Sequence, residues 1–310
     1  MILTVTANPA IDYTIRVDAL EIGRRGKYRD PVFDSSGKGI NVSRMARRLG
    51  APTLALGFAG GPTGDLLRQG LDREGVPHDL VAVPGLTRLN VTVLSGPDGA
   101  ATHLHGPGAR VEPGEVARLL ELAARHLPRA TLLVVSGSLP PGLTSASIVE
   151  LVALAKSRGI RSIVDVEGET LAAVIGAGAD LVKPNLLEAG DYLGRKLAGV
   201  DDAVAAAKEL VARGAKTAVV TLRGDGAVGA TGGKVWHAVP PRDPVILAIG
   251  AGDSFAAGLA VELARGASLP EALRTASAAG AATALHSGTG LGSAEETARL
   301  RDRTEVRERT

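Results

Sequence analysis

An α/β architecture, with a mostly parallel central sheet and a second, smaller β-sheet beside it, is what this 310-residue sequence predicts. Three observations carry the expectation. Short apolar β-rich runs alternate with helical runs, the pattern of parallel strands buried on both faces. Two β-rich stretches without helical period interrupt that alternation. Polar, glycine-rich segments fall where strands end, which is where open parallel sheets bind ligands.

Taken in order, residues 2–6 read as a strand ended by Asn8-Pro9. Residues 12–34 hold short β-rich pieces at 14–17 and 27–33. A second β-rich stretch, 90–104, is broken by Gly96-Pro97-Asp98-Gly99, a hairpin signal. Helices are expected at 40–49, 64–74, 113–125, 145–158, 201–212, 252–265 and 270–285. Strands are expected at 53–58, 132–136, 161–165, 181–182 and 217–221, and residues 295–310 read as a charged surface helix. There is no internal repeat and no low-complexity linker.

Composition excludes several classes. Hydrophobic residues make up 45% and charged residues 22%, as in ordinary globular proteins. The net charge is +2 and the pI about 9.0, without a basic patch; the cluster Arg44, Arg47 and Arg48 reads as one helix face. Aromatics at 2% leave no stacking platform for single-stranded nucleic acid. The absence of cysteine rules out disulfides, thiolate zinc sites and thiol catalysis. The first residues lack signal-peptide features and no apolar run reaches a membrane span, so a cytoplasmic protein with no membrane partner is expected. Asparagine occurs only at positions 8, 41, 90 and 185, and glutamine only at 69. Such avoidance fits a thermophile and fits a GC-rich genome equally. The surviving asparagines are candidates for work only an amide does, or else turn residues.

Four segments carry chemistry. Gly250-Ala251-Gly252-Asp253 opens an apolar helix, whose free N–H groups and dipole form an anion site. A dinucleotide fingerprint is disfavoured, because the motif comes late in the chain and places a carboxylate where a pyrophosphate would sit. Asp253 reads locally either as a base deprotonating a hydroxyl or as a helix cap. Gly37-Lys38-Gly39-Ile40-Asn41 also precedes a helix; it suits close backbone approach and sugar hydroxyls, or is a plain loop–helix junction. Asn185 and Glu188, following Lys183-Pro184, share a helix face that suits hydrated Mg²⁺ or a capping box. Thr221-Leu222-Arg223-Gly224-Asp225-Gly226 is a strand end that cradles phosphates or simply turns. Arg88 and Asn90 fall on a β-rich insertion with Arg25 and Lys27 nearby; the three cations suit a phosphorylated substrate or are plain solvated surface. His103, His105 and His126 lack a metal-ligand context.

Together these segments resemble the ribokinase-like (PfkB) family of carbohydrate kinases over essentially the whole chain. Asn8-Pro9-Ala10-Ile11-Asp12, Ser136-Gly137-Ser138-Leu139-Pro140-Pro141-Gly142 and Leu181-Val182-Lys183-Pro184-Asn185 are similar to its phosphosugar branch, which comprises 1-phosphofructokinase, tagatose-6-phosphate kinase and the minor 6-phosphofructokinase. The resemblance implies a three-layer sandwich spanning 1–310 as one kinase domain, with a β-sheet lid from about 12–36 and 88–106 that clasps a homodimer. It implies Asp253 as catalytic base and Gly250, Ala251 and Gly252 as the anion hole. Asp12, Gly37, Lys38, Asn41 and Ser138 would bind the sugar. Arg88 and Asn90 would contact the sugar or its phosphate, helped by Lys27 and Arg25. Lys183, Asn185, Thr221, Gly224 and Gly226 would bind ATP, and Glu188, Asn185 and Asp165 would surround Mg²⁺. Two departures stand out. Arg223 replaces the first glycine of the nucleotide turn, and Leu247-Ala248-Ile249 replace residues that carry hydroxyl or carboxylate groups, so strong potassium activation is not expected.

The implied reaction is transfer of the ATP γ-phosphoryl group to a ketohexose phosphate. His105-Gly106-Pro107-Gly108-Ala109 and Gly168-Glu169 favour fructose 6-phosphate as acceptor, with fructose 1-phosphate and tagatose 6-phosphate as alternatives. A kinase of unphosphorylated sugars or nucleosides would not need Arg88. A non-catalytic sugar-binding regulator would turn over nothing.

Overall fold

The computed structural model describes residues 1–96, 100–243, 249–286 and 290–309. The centre of the expected hairpin, 97–99, and Leu247-Ala248 lie outside the described residues. The chain begins β1 (Ile2–Thr6), β2 (Ala10–Val17), β3 (Arg29–Ser36), α1 (Lys38–Arg48), β4 (Thr53–Ala59), α2 (Gly61–Arg73) and β5 (His78–Ala82). It continues with β6 (Arg88–Ser95), β7 (Ala100–Leu104), α3 (Pro113–His126), β8 (Leu132–Ser136), α4 (Ser145–Lys156), β9 (Arg161–Asp165) and α5 (Gly168–Gly176). Then come β10 (Leu181–Val182), α6 (Leu186–Leu193), α7 (Gly199–Ala212), β11 (Thr217–Thr221), β12 (Ala227–Thr231) and β13 (Lys234–Val239). The chain ends with α8 (Ala251–Ala264), α9 (Leu269–Ala284), α10 (Ala294–Arg303) and β14 (Glu305–Arg309).

Ten strands form the large sheet in the order β14-β13-β12-β11-β10-β9-β8-β1-β4-β5. From β11 to β5 all neighbours are parallel, while β12, β13 and β14 are antiparallel additions at one edge. Alternation within each strand splits the interior into two cores. Leu3, Val5, Leu133 and Val135 face a core with Leu122, Ile148, Leu151, Val174 and Leu210 from α3, α4, α5 and α7. Ile2, Leu132 and Val134 face Val42 and Met45 of α1 together with α8 and α9. The result is three layers, helices over sheet over helices. Among the described residues no helix is long and apolar enough to cross a membrane.

The second sheet has the order β3-β2-β6-β7 and is built from the two β-rich insertions. The register places Phe33, Leu89 and Leu104 on one of its faces, all exposed.

The tail differs from the expected single helix. The helix stops at Thr304, and Glu305-Val306-Arg307-Glu308-Arg309 alternates as an edge strand on β13. Val306 packs against the core and charged neighbours face outward, which blunts the edge against further pairing.

Chain order turns back at β1. The strands β4 and β5 run to one side and β8 to β11 to the other, which makes the carboxyl ends of β1 and β8 a topological switch point. The functional residues converge there.

Candidate active site

The first helix is set by a close approach. A Cβ on Gly39 would lie 2.5 Å from the Thr6 hydroxyl and 2.8 Å from the Val5 carbonyl, so only glycine lets α1 rest on the end of β1. That placement aims Asn41 at α8. Asp253 lies in the first turn of α8, yet its side chain accepts no backbone N–H among the described residues. Instead Oδ2 accepts a 2.8 Å hydrogen bond from Asn41 Nδ2. The carboxylate is therefore directed into the site rather than capping its helix. Burial pushes the Asp253 pKa up to about 6, against the lowering effect of the Asn41 hydrogen bond, and the nearby Asp165 charge pushes in the same direction as burial. The amides of Ala251 and Gly252 donate to no group among the described residues, and a Cβ on Gly252 would meet open space. A carboxyl of raised pKa thus sits beside N–H groups at a helix N-terminus that have no partner among the described residues.

A charged cluster lies at the ends of β9 and β10. Lys183 Nζ stands 3.1 Å from Asp165 Oδ2, and both side chains are buried. The Ser136 hydroxyl donates to the same oxygen at 3.1 Å. Lys38 Nζ bridges Asp165 Oδ1 at 3.6 Å and Glu188 Oε1 at 3.8 Å. Burial works to raise the Asp165 pKa, but the Lys183 and Lys38 charges outweigh it and hold the carboxyl below its ordinary range. Asp165 in turn holds Lys38 above the ordinary lysine range. For Glu188, burial prevails and its pKa is raised. Asn185 and Glu188 form a reciprocal capping box at α6: Glu188 N–H donates to Asn185 Oδ1 and Asn185 N–H to Glu188 Oε2, each at 2.9 Å. Glu188 Oε1 remains outside that box. Among the described residues no group of three acidic or histidine side chains could cage a metal ion. The donor set therefore fits only a cation that keeps most of its waters, as magnesium does.

The third group lines a cavity of about 430 Å³ with Asn8, Arg88, Pro107, Ser138 and Leu139. Arg88, the first residue of β6, donates from Nη2 to the Asn8 carbonyl at 2.8 Å and from Nη1 to the Gly106 carbonyl at 3.1 Å. It lies 3.5 Å from the Ser138 hydroxyl. Its Nε is buried without a partner, and no carboxylate lies within ion-pair distance among the described residues. Burial lowers its pKa, partly offset by the Asp12 charge. A half-buried guanidinium without an ion-pair partner can accommodate an anion. Next to it, Asn90 Nδ2 donates to Asp12 Oδ1 at 2.9 Å, while Asn90 Oδ1 is buried and unpartnered.

Thr221 N–H bonds the Pro184 carbonyl at 3.1 Å, and Asn185 and Thr221 form an isolated parallel bridge, so two segments singled out for the nucleotide meet. Gly226 closes that turn and Gly224 is exposed on it. Arg223 adopts φ 53°, a left-handed backbone in the position where the resemblance expects glycine. Gly37 caps α1. Arg25 and Lys27 are not drawn in: they sit exposed between β2 and β3 with no hydrogen bond or ion pair among the described residues.

Sequence reasoning assigned no role to Ser136, Arg44 or Glu74. Arg44, read within a basic helix face, is buried; its Nε lies 2.6 Å from Glu74 Oε2 and its Nη1 donates to Asn41 Oδ1 at 3.2 Å. The i,i+3 spacing of Asn41 and Arg44 was the available signal. All four asparagines take part in site hydrogen bonds, Asn8 by donating to the Pro107 carbonyl and Ser138.

The pfkB family carbohydrate kinase model matches residues 5–297. ATP-dependent 6-phosphofructokinase isozyme 2 of Escherichia coli (strain K12) is 38% identical over 303 residues, covering 96% of this chain and 97% of its own. The 1-phosphofructokinase of Bacillus subtilis (strain 168) is 33% identical, covering 92% and 93%. The crystal structure of Escherichia coli phosphofructokinase-2 in complex with potassium superimposes with a TM-score of 0.91 at 36% identity, over 97% of this chain and 98% of that one. A possible 1-phosphofructokinase of Thermotoga maritima gives a TM-score of 0.90 at 29% identity over the whole of both chains. The fold is thus the ribokinase-like sandwich of the phosphofructokinases, and the chain belongs to the pfkB family of carbohydrate kinases.

Proposed function

We propose that this sugar-phosphate kinase transfers the terminal phosphoryl group of ATP to the free primary hydroxyl of fructose 6-phosphate, giving the 1,6-bisphosphate. The observation that carries the phosphorylated acceptor is Arg88, a half-buried cation on the 430 Å³ cavity whose Nε is buried without a partner and which has no ion-pair partner among the described residues. Gly106 and Pro107 line that cavity, and their carbonyls accept from Arg88 and Asn8. Fructose 6-phosphate accompanies an Escherichia coli phosphofructokinase-2 of 35% identity in its crystal structure, which supports the same acceptor here.

Arg88 and Ser138 hold the acceptor's phosphate, and Asp12, Asn90, Gly37, Lys38 and Asn41 its hydroxyls. Asn90 Oδ1, left unpartnered, is available to accept from a hydroxyl. Asp253 takes the proton of the attacking hydroxyl as that oxygen bonds to the γ-phosphorus and ADP leaves. The amides of Ala251 and Gly252, at the positive end of α8, receive the charge that develops on the transferred group. Lys183, Asn185, Thr221, Gly224 and Gly226 bind the nucleotide. Magnesium, when bound, neutralises the ATP phosphate oxygens, and Glu188 Oε1, with Asp165 behind it, would hold it through water.

The smaller sheet, formed from residues 12–36 and 88–106 of a single 310-residue kinase domain, acts as a lid. Its exposed face of Phe33, Leu89 and Leu104 fits a second copy of the chain. Arg25 and Lys27 beside that face would add positive charge to the acceptor site on assembly. An ADP-release assay over fructose 6-phosphate, fructose 1-phosphate, tagatose 6-phosphate and fructose tests the reading. Fructose 6-phosphate is expected to give the highest kcat/KM, and equal turnover of unphosphorylated fructose would overturn it.

A further inference from the structure

We infer that Arg44 and Glu74 are positioning residues that fix which way the Asn41 amide faces, and thereby how Asp253 is held. The inference rests on the proposed role of Asp253.

An asparagine amide has two ends of nearly equal shape and opposite hydrogen-bonding character. Asp253, as a carboxylate, can only accept; the Arg44 guanidinium can only donate. With Asn41 between them, one orientation satisfies both: Oδ1 toward Arg44 at 3.2 Å and Nδ2 toward Asp253 at 2.8 Å. Arg44 is itself immobilised. Its side chain is 5% exposed, and Glu74, the residue that ends α2, grips its Nε at 2.6 Å. The series Glu74–Arg44–Asn41–Asp253 therefore runs from α2 through α1 to α8. Without Arg44, Asn41 Oδ1 loses its donor. The amide is then free to turn Oδ1 toward Asp253, an arrangement that favours the protonated acid, which cannot accept the substrate proton. The charged groups acting on Asp253 are Lys38 of α1, Asp165 of β9 and Lys183 after β10, and substituting Arg44 leaves all three in place.

The chain holds four asparagines and one glutamine, so its side-chain amides give only five proton pairs. The ¹⁵N-labelled full chain is compared with Arg44→Met, with Asn41 assigned by its loss in Asn41→Ala. In the unaltered chain the Asn41 pair is expected to shift as Asp253 titrates, and in Arg44→Met that response is expected to disappear. An unchanged response in Arg44→Met overturns the inference. Turnover of ATP and fructose 6-phosphate supplies the second readout. Arg44→Met should lower kcat about 10-fold with KM nearly constant, the scale of one hydrogen bond to a charged group. In the Asn41→Ala background the same substitution should change kcat by less than about 2-fold, because the two residues act as one unit. Equal losses in both backgrounds would mean Arg44 acts elsewhere. If Arg44→Met does not fold, Glu74→Gln is expected to give the same pattern at about 3-fold, and its leaving both the amide and kcat unaltered counts against the role. Should the unaltered chain turn over no sugar phosphate, the proposed function fails, while the amide spectrum still decides the orientation.

Discussion

Replacing Asp253 by asparagine should stabilise the folded protein while disabling it, and the gain should depend on pH. The carboxyl is buried, 9% exposed, with a folded-state pKa of about 6 against an ordinary value of 3.8. A raised carboxylate pKa means that the folded state binds the proton more tightly than the unfolded state does. Below about pH 4 both states are protonated and the site costs little. As pH rises through the interval up to 6, the unfolded chain ionises freely and the folded chain resists, so stability falls. The interval is about 2 pH units at about 1.4 kcal/mol each, or about 3 kcal/mol at pH 8. Asparagine removes the charge, keeps an oxygen to accept from Asn41 Nδ2, and has nearly the same volume. Urea titrations of the two proteins at pH 8 should show Asp253→Asn more stable by about 2–3 kcal/mol, with the advantage shrinking to near zero at pH 4. An advantage that is equal at both pH values, or a loss of stability at pH 8, would refute the claim that the site stores an unfavourable buried charge.

Other outcomes follow from the same geometry. Arg88→Ala should raise KM for fructose 6-phosphate about 100-fold or more, as expected for a lost charged hydrogen-bonding partner, while activity on unphosphorylated fructose stays low and unchanged; initial-rate kinetics on both sugars check it. Lys183→Met leaves Asp165 in the interior without its nearer cation and should destabilise by about 3 kcal/mol, read from the denaturation midpoint. Arg223→Gly should raise stability slightly, by about 0.5–1 kcal/mol, because left-handed backbone costs an L-residue about 1–2 kcal/mol and glycine's greater freedom when unfolded offsets part of that. Phe33→Asp, on the exposed face of the smaller sheet, should shift light-scattering mass toward the monomer, and a wild-type chain already monomeric at all concentrations would sink the dimer proposal.

Much of the fold can be read from the chain because several buried strands announce themselves twice, by composition and by a polar residue at or just after the carboxyl end, whereas β4 ends in Ala59 and β5 is not expected from the sequence. Residues 132–136 and 161–165 are strands with the bounds the sequence predicts, and Ser136 and Asp165 at their ends meet in space. The antiparallel edge is less legible. The strands β12 and β13 are joined by Gly232-Gly233, both with positive φ, a hairpin signal whose flanking runs are rich in alanine and glycine and carry a weak alternation. The tail misleads for a different reason: a charged edge strand and a charged surface helix share one composition, and only the contact of Val306 with the core separates them.

The site shows the same division. The local sequence leaves Asp253 open between cap and base, and the structure removes the cap by sending its oxygen to Asn41, 212 positions away. For Asn185 and Glu188 the capping box is present, and it uses Oε2 while Oε1 faces Lys38. The i,i+3 spacing puts Arg44 within reach of Asn41, but an arginine on a helix is usually solvated, and the burial of this one and its partner Glu74, after α2, are visible only in the structure.

The central claim is that Asp253 accepts the proton of the attacking hydroxyl. Steady-state kinetics of Asp253→Asn with ATP and fructose 6-phosphate test it most directly. The account predicts a kcat at least ~10²-fold lower with KM for both substrates little changed, the scale of a lost general base. Turnover close to that of the unaltered protein would contradict it.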